Sequence, residues 1–65
     1  MKYYINDEVV SYEIFEHYLF KSIKKQTNFA LSEKDARFMY CNYYNEIKYY
    51  NAKISFKDKM SYKIR

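Results

Sequence analysis

The chain has no glycine, no proline and no tryptophan, and its 65 residues include one cysteine and one histidine. Each absence excludes something. Without glycine the sequence cannot form the glycine-dependent loops that bring backbone N–H groups against a nucleotide phosphate. Cys41 has no intramolecular disulfide partner, and together with His17 it falls short of the four ligands of a structural zinc site, so neither metal nor cofactor is expected. An unpaired thiol suits a reducing compartment. No apolar run approaches the ~18 residues of a membrane span, and Met1–Glu8 lacks the basic and uninterrupted apolar regions of a signal peptide. The expectation is a cytoplasmic protein with no membrane partner.

Aromatic residues are what the chain has in excess: 10 tyrosines and 5 phenylalanines. Lys, Tyr, Ile, Asn and Phe together fill more than half of the positions, and all five have codons dominated by A and T. An AT-rich genome therefore accounts for part of the tyrosine and lysine surplus. At this length a single domain, residues 1–65, is expected, burying only about 60% of its unfolded surface. A core this small supplies roughly 3–5 kcal/mol. Tyr and Phe, each burying on the order of 150–250 Å² with the phenol tips left wet, are the means available to fill it. A homodimer that completes the core is the other means.

The net charge of +4 is unevenly spread. Residues 1–16 sum to −3, residues 17–47 to +2 and residues 48–65 to +5. A basic C-terminal segment with interleaved aromatics reads either as a solvated sheet face or as a phosphate-contacting surface.

Along the chain, Tyr3-Tyr4-Ile5 and Val9-Val10 flank Asn6-Asp7-Glu8, residues that tolerate left-handed backbone, so an N-terminal hairpin is predicted. Ser11 is placed as an N-cap, with Val10 and Phe15 at hydrophobic-staple positions. Ile14, Phe15, Tyr18, Leu19 and Ile23 form the apolar stripe of a first helix. Its acidic start and basic end suit the helix dipole. Gln26-Thr27-Asn28 breaks the pattern, with Asn28 as the C-terminal cap. Ser32 caps a second helix carrying Ala36, Met39, Tyr40, Tyr43 and Ile47 at 3,4 spacing, reaching as far as Tyr50, with Asn45 and Asn51 as candidate stops. From Ala52 the period becomes two: Ile54 and Phe56, then Met60, Tyr62 and Ile64 on either side of Lys57-Asp58-Lys59, a hairpin whose glycine-free turn is either a longer type I based one or a strained one. The fold class is α+β, two helices packed on a small antiparallel sheet in the order ββααββ.

No nucleophile motif or carboxylate pair stands out. His17 reads as a surface histidine, and Cys41 as a partly buried thiol without the adjacent base that a nucleophile needs. The chain therefore reads as a non-enzyme with two binding surfaces. One is a tyrosine-rich protein-binding patch on the second helix, Met39, Tyr40, Tyr43 and Tyr44, of a kind enriched at interfaces. The other is a basic surface, Lys48, Lys53, Lys57, Lys59, Lys63 and Arg65. On the hairpin it places cations beside Tyr49, Tyr50, Phe56 and Tyr62, an arrangement that suits single-stranded nucleic acid if those rings are free, whereas rings that form the core leave a merely solvated cationic face.

Met1-Lys2-Tyr3-Tyr4-Ile5-Asn6, followed by Val10-Ser11 and Phe15 at the head of a helix, resembles the start of short orphan proteins encoded by phages and prophages of low-GC Gram-positive bacteria. The likeness covers the N-terminal quarter and carries over no functional residue. Asp7 stands where that pattern often has glycine. The resemblance implies a stoichiometric inhibitor of a host enzyme or defence system, the class that includes anti-CRISPR proteins. The leading expectation is accordingly a non-enzymatic protein that binds a host or defence protein, such as a nucleic-acid enzyme, and inhibits it by occlusion. The alternative is a small basic nucleic-acid-binding protein that uses the C-terminal hairpin.

Overall fold

A computed structural model describes all 65 residues. The first hairpin pairs β1 (Tyr3–Ile5) with β2 (Glu8–Val10), Tyr3 opposite Val10 and Ile5 opposite Glu8. Asn6 and Asp7 both take positive φ, 51° and 67°, as a two-residue type I′ turn requires. Asp7 holds the position where glycine costs least, and β2 starts one residue earlier than Val9-Val10 suggested.

Helix α1 (Tyr12–Gln26) starts where expected, with the Ser11 hydroxyl accepting the Ile14 N–H at 3.3 Å. It ends in a Schellman turn. The Phe29 N–H reaches the Lys24 carbonyl and the Asn28 N–H the Lys25 carbonyl, with Asn28 left-handed at φ 56°. The cap itself is Thr27, whose hydroxyl donates to the Lys24 carbonyl at 3.0 Å, and Asn28 is the residue after it. Helix α2 (Glu33–Tyr49) is capped by the Ser32 hydroxyl on the Asp35 N–H, and left-handed Asn51 follows its last turn.

The second hairpin joins β3 (Ile54–Ser55) and β4 (Ser61–Ile64). Lys59 N–H bonds to the Phe56 carbonyl, and Lys59 itself is left-handed at φ 66°, so the connection is a type I turn followed by a bulge with lysine in the glycine position.

The two hairpins merge into one antiparallel sheet of order β2-β1-β4-β3, with β1 and β4 in the centre. Asn6 ties the seam, its carboxamide oxygen accepting the Ser61 N–H at 2.9 Å. Both helices lie on one face. There Ile5, Phe15, Leu19, Ile23, Ile47, Phe56, Tyr62 and Ile64 form the core. Its edge-on rings, such as Phe15–Tyr62 at 5.7 Å and Phe56–Tyr62 at 5.6 Å, keep the positive edge of one aromatic on the face of the next.

One expectation is corrected, one open choice is resolved, and one residue takes a place that no pattern singled out. Ile14 and Tyr18 are exposed instead of belonging to the stripe, because α2 flanks α1 only on its Tyr12–Phe20–Lys24 side and nothing covers the other shoulder. Phe56 and Tyr62 are core and cannot offer free faces to bases. Ser22, a polar residue, is enclosed beneath the second hairpin. Its hydroxyl lies 2.5 Å from the Tyr62 phenol and donates to an Asp58 carboxylate oxygen at 2.8 Å, while the Tyr62 hydroxyl also reaches the Tyr18 carbonyl at 2.8 Å. This bolt fixes β4 and its turn to α1.

Candidate binding surfaces

His17 and Cys41 come to the same groove between α1 and α2, a space of about 570 Å³ that Phe20, Lys21, Lys24, Arg37 and Tyr40 also line. His17 packs edge-on against Tyr18 at 5.1 Å and forms no ion pair with Glu13. Cys41 is exposed, not partly buried. Around the Phe20 ring stand Lys24 at 4.7 Å and Arg37 at 5.7 Å. Lys24 is further committed to Glu33, 2.7 Å away, which holds the Glu33 carboxyl below its usual range.

The tyrosines of α2 lie elsewhere than in an exposed patch. Met39, Tyr40, Tyr43 and Tyr44 are all half-buried and pack against the core. Tyr43 sits edge-on to Phe56 at 5.2 Å, and Tyr40 stacks on Tyr44 at 5.9 Å. Their phenols face those of the neighbouring elements: Tyr44 with Tyr3 of β1 at 3.1 Å, Tyr40 with Tyr12 of α1 at 3.3 Å, and Tyr12 in turn donating to Glu16 at 3.0 Å. Burial first, then the phenol–phenol hydrogen bond, raises the proton affinity of both Tyr40 and Tyr44. For Tyr12 the bond to Tyr40 pulls downward, but burial and Glu16 together outweigh it. These side chains close the helix–sheet seam, and only their edges reach solvent.

The most exposed aromatics are different ones: Phe29 (67% exposed), Phe38 (69%), Tyr49 (71%) and Tyr50 (81%). Phe38 and Tyr49 are eleven residues apart on α2, about 16 Å along its axis and within ~20° around it. Exposed Asn42 and Asn45 lie between them. The face opposite the core is thus an uncharged stripe on a chain that is 31% charged. The signal was present in the sequence, since Phe38, Asn42, Asn45 and Tyr49 repeat the 3,4 spacing half a turn away from Ala36 and Ile47.

The six predicted cations do not share one surface. Lys48 lies beside the Tyr44 and Tyr49 rings, 5.8 and 5.4 Å from their centres. Lys53 grips both carboxylate oxygens of Asp7 at 3.1 and 3.3 Å. Lys57 and Lys59 are exposed at the hairpin turn. Lys63 and Arg65, together with Tyr4 and Asp7, line a shallow depression of about 210 Å³ on the other face of the sheet. Lys2 and Tyr4 belong to that face too, although neither charge runs nor periodicity singles them out in the sequence. Strand alternation puts them there, opposite the inward-facing Tyr3 and Ile5.

No helix is long and apolar enough to cross a membrane. Compared with protein-family models, with curated proteins and with solved structures, the chain matches none at a significant level.

Proposed function

We propose that the protein is a small non-catalytic inhibitor of phage type that binds a host or defence protein, with anti-CRISPR activity among the forms this takes, and blocks a working surface by occlusion in the host cytoplasm. The observation that carries this reading is the Phe38–Asn42–Asn45–Tyr49 stripe. A chain whose core holds nine buried apolar residues leaves two large aromatics in register on the outside of its longest helix. Aromatic side chains presented on a rigid helix give large contact area at small entropy cost, and a few such residues dominate binding energy in most interfaces. The asparagines between them provide hydrogen-bonding groups without charge to desolvate. An accessible thiol at Cys41 beside the stripe fits a reducing compartment.

Affinity purification of the tagged protein from an AT-rich Gram-positive host, with and without nuclease, tests this reading. One stoichiometric host protein that survives nuclease and is lost with the Phe38→Ser/Tyr49→Ser double variant is the expected result. Recovery of the same partner by that variant, or of nothing but nucleic acid, overturns it.

A further inference from the structure

We propose that the uncovered face of the sheet binds single-stranded nucleic acid, with Tyr4 stacking on a base and Lys2, Lys63 and Arg65 neutralising the phosphates around it. This site lies on the opposite side of the molecule from the core, and it does not depend on the α2 stripe.

The placement follows from strand geometry. Tyr3 faces the helices, its ring 5.0 Å from Phe15 and 5.2 Å from Tyr12, and Ile5 is buried with it. Alternation then sends Lys2 and Tyr4 to the opposite face. On β4, Tyr62 and Ile64 are buried, so Ser61, Lys63 and Arg65 point outward. Tyr4 pairs directly with Lys63, and Lys2 exchanges both backbone hydrogen bonds with Arg65. The two central strands therefore present one aromatic ring with three cations beside it. Neighbouring strands lie about 4.8 Å apart, and alternate residues of one strand about 6.7 Å. That spacing lets the cations follow the phosphates of an extended strand.

No strand residue facing this way is acidic. The outward positions of the flanking strands are Val9 and Ser55. The carboxylate in the depression, Asp7, sits at the turn and is already met by Lys53. The acidic residues of the N-terminal third lie instead at the edge strand and along α1, as Glu8, Glu13 and Glu16. Charge complementarity selects a polyanion, and the ring among the cations selects one that carries unpaired planar groups, because bases inside a duplex have no face to offer.

Fluorescence anisotropy with labelled oligothymidylate, titrated between about 50 and 200 mM salt, tests the site. Three phosphate contacts on a single strand give a slope of log affinity against log salt of about −2. Tyr4→Thr, which keeps a strand-forming residue but removes the ring, is expected to weaken binding roughly 5- to 150-fold, whereas Tyr4→Phe retains it. Lys63→Ala/Arg65→Ala is expected to flatten the slope. Lys25→Ala/Lys34→Ala removes the same charge from the helix side and is expected to leave affinity and slope unchanged. Equal losses from the two charge-removing double variants, wild-type binding by Tyr4→Thr, stronger binding of duplex or of polyglutamate, or no binding at low salt each overturn the proposal. Far-UV circular dichroism checks that every variant is folded. If Tyr4→Thr is not, Tyr4→Phe and the two charge pairs still decide.

Discussion

Replacing Tyr62 by Phe removes one oxygen from the best-enclosed polar cluster in the molecule, and its cost can be worked from the contacts. The ring is fully buried and stays so. Lost are the 2.5 Å contact with Ser22 and the 2.8 Å bond to the Tyr18 carbonyl. Ser22 keeps Asp58 as its acceptor at 2.8 Å, so no buried donor is stranded. Because Ser22 gives its own proton to Asp58 and the phenol has only one to give, one hydrogen bond is lost in net, an expected cost of about 0.5–1.5 kcal/mol. Against the roughly 3–5 kcal/mol available to a core of this size, that is a large share. At about 4–8 °C per kcal/mol, Tm falls by roughly 2–12 °C. The same phenol also shapes the alkaline limb. Burial, only partly offset by the Ser22 contact, pushes the Tyr62 pKa up to about 12 from 10.0. Because the folded state holds this proton more tightly, its contribution is complete below pH 10 and is lost as pH rises from 10 to 12. Urea unfolding followed by far-UV circular dichroism at neutral pH and across that window is the assay. Tyr62→Phe should start lower and decline less steeply than the parent, and coupling with Ser22→Ala should be evident in a double-mutant cycle. Unchanged stability at neutral pH, or identical alkaline limbs, would refute the reasoning.

Other perturbations have equally definite outcomes. Lys59→Gly and Asp7→Gly relieve left-handed backbone at φ 66° and 67°, and each should raise Tm by a few degrees, since that conformation costs roughly 1–2 kcal/mol for a residue with a side chain and glycine's unfolded-state entropy returns only part of it. The exposed Asp7–Lys53 pair lost in the second variant is worth at most about 1 kcal/mol, so differential scanning calorimetry should find Lys59→Gly the larger gain. Leu19→Ala opens a cavity in the centre of the core at about 2–5 kcal/mol, comparable with the whole stability of a core this size, so urea unfolding should begin at or near zero denaturant and a second, poorly dispersed set of amide signals should appear in a heteronuclear NMR spectrum. Phe38→Ser and Tyr49→Ser remove exposed rings and should each shift urea-derived stability by no more than about 0.5 kcal/mol, which makes them clean probes of binding.

What could be read in advance was local. Ser11 and Ser32 as caps, the period change after Ala52 and the Asn6-Asp7 turn all rest on chemistry within a few residues. The merging of the hairpins does not, because Tyr4 meets Lys63 across nearly the whole chain and no short-range pattern encodes that pairing. The site residues shared this limit. Tyr40, Tyr43 and Tyr44 looked surplus to one helical stripe, yet Tyr3, Tyr12 and Phe56 arrive from three other elements to enclose them. Tyr4 is inconspicuous in the sequence for the complementary reason: its place matters through Lys63 and Arg65, which only the β1–β4 pairing sets beside it. Ser22, between Lys21 and Ile23, reads as a polar residue on a polar shoulder until Asp58 and Tyr62 close over it.

The central seam joins β1 to β4, the first strand to the last, and this orders the events of folding. The helices and the two turns can form from neighbouring residues, but the sheet gains its middle only when segments nearly sixty positions apart meet, the kind of non-local contact that slows folding. During synthesis β1 must wait, its inner edge unpaired, until Ser61–Ile64 has cleared the ribosome. The same seam sets Lys2 beside Arg65, so a short linker could join those two residues and the chain could be reopened at Asn28-Phe29. In such a permuted chain β4 would run directly into β1 as a hairpin, turning the slowest encounter of the natural order into one of the quickest.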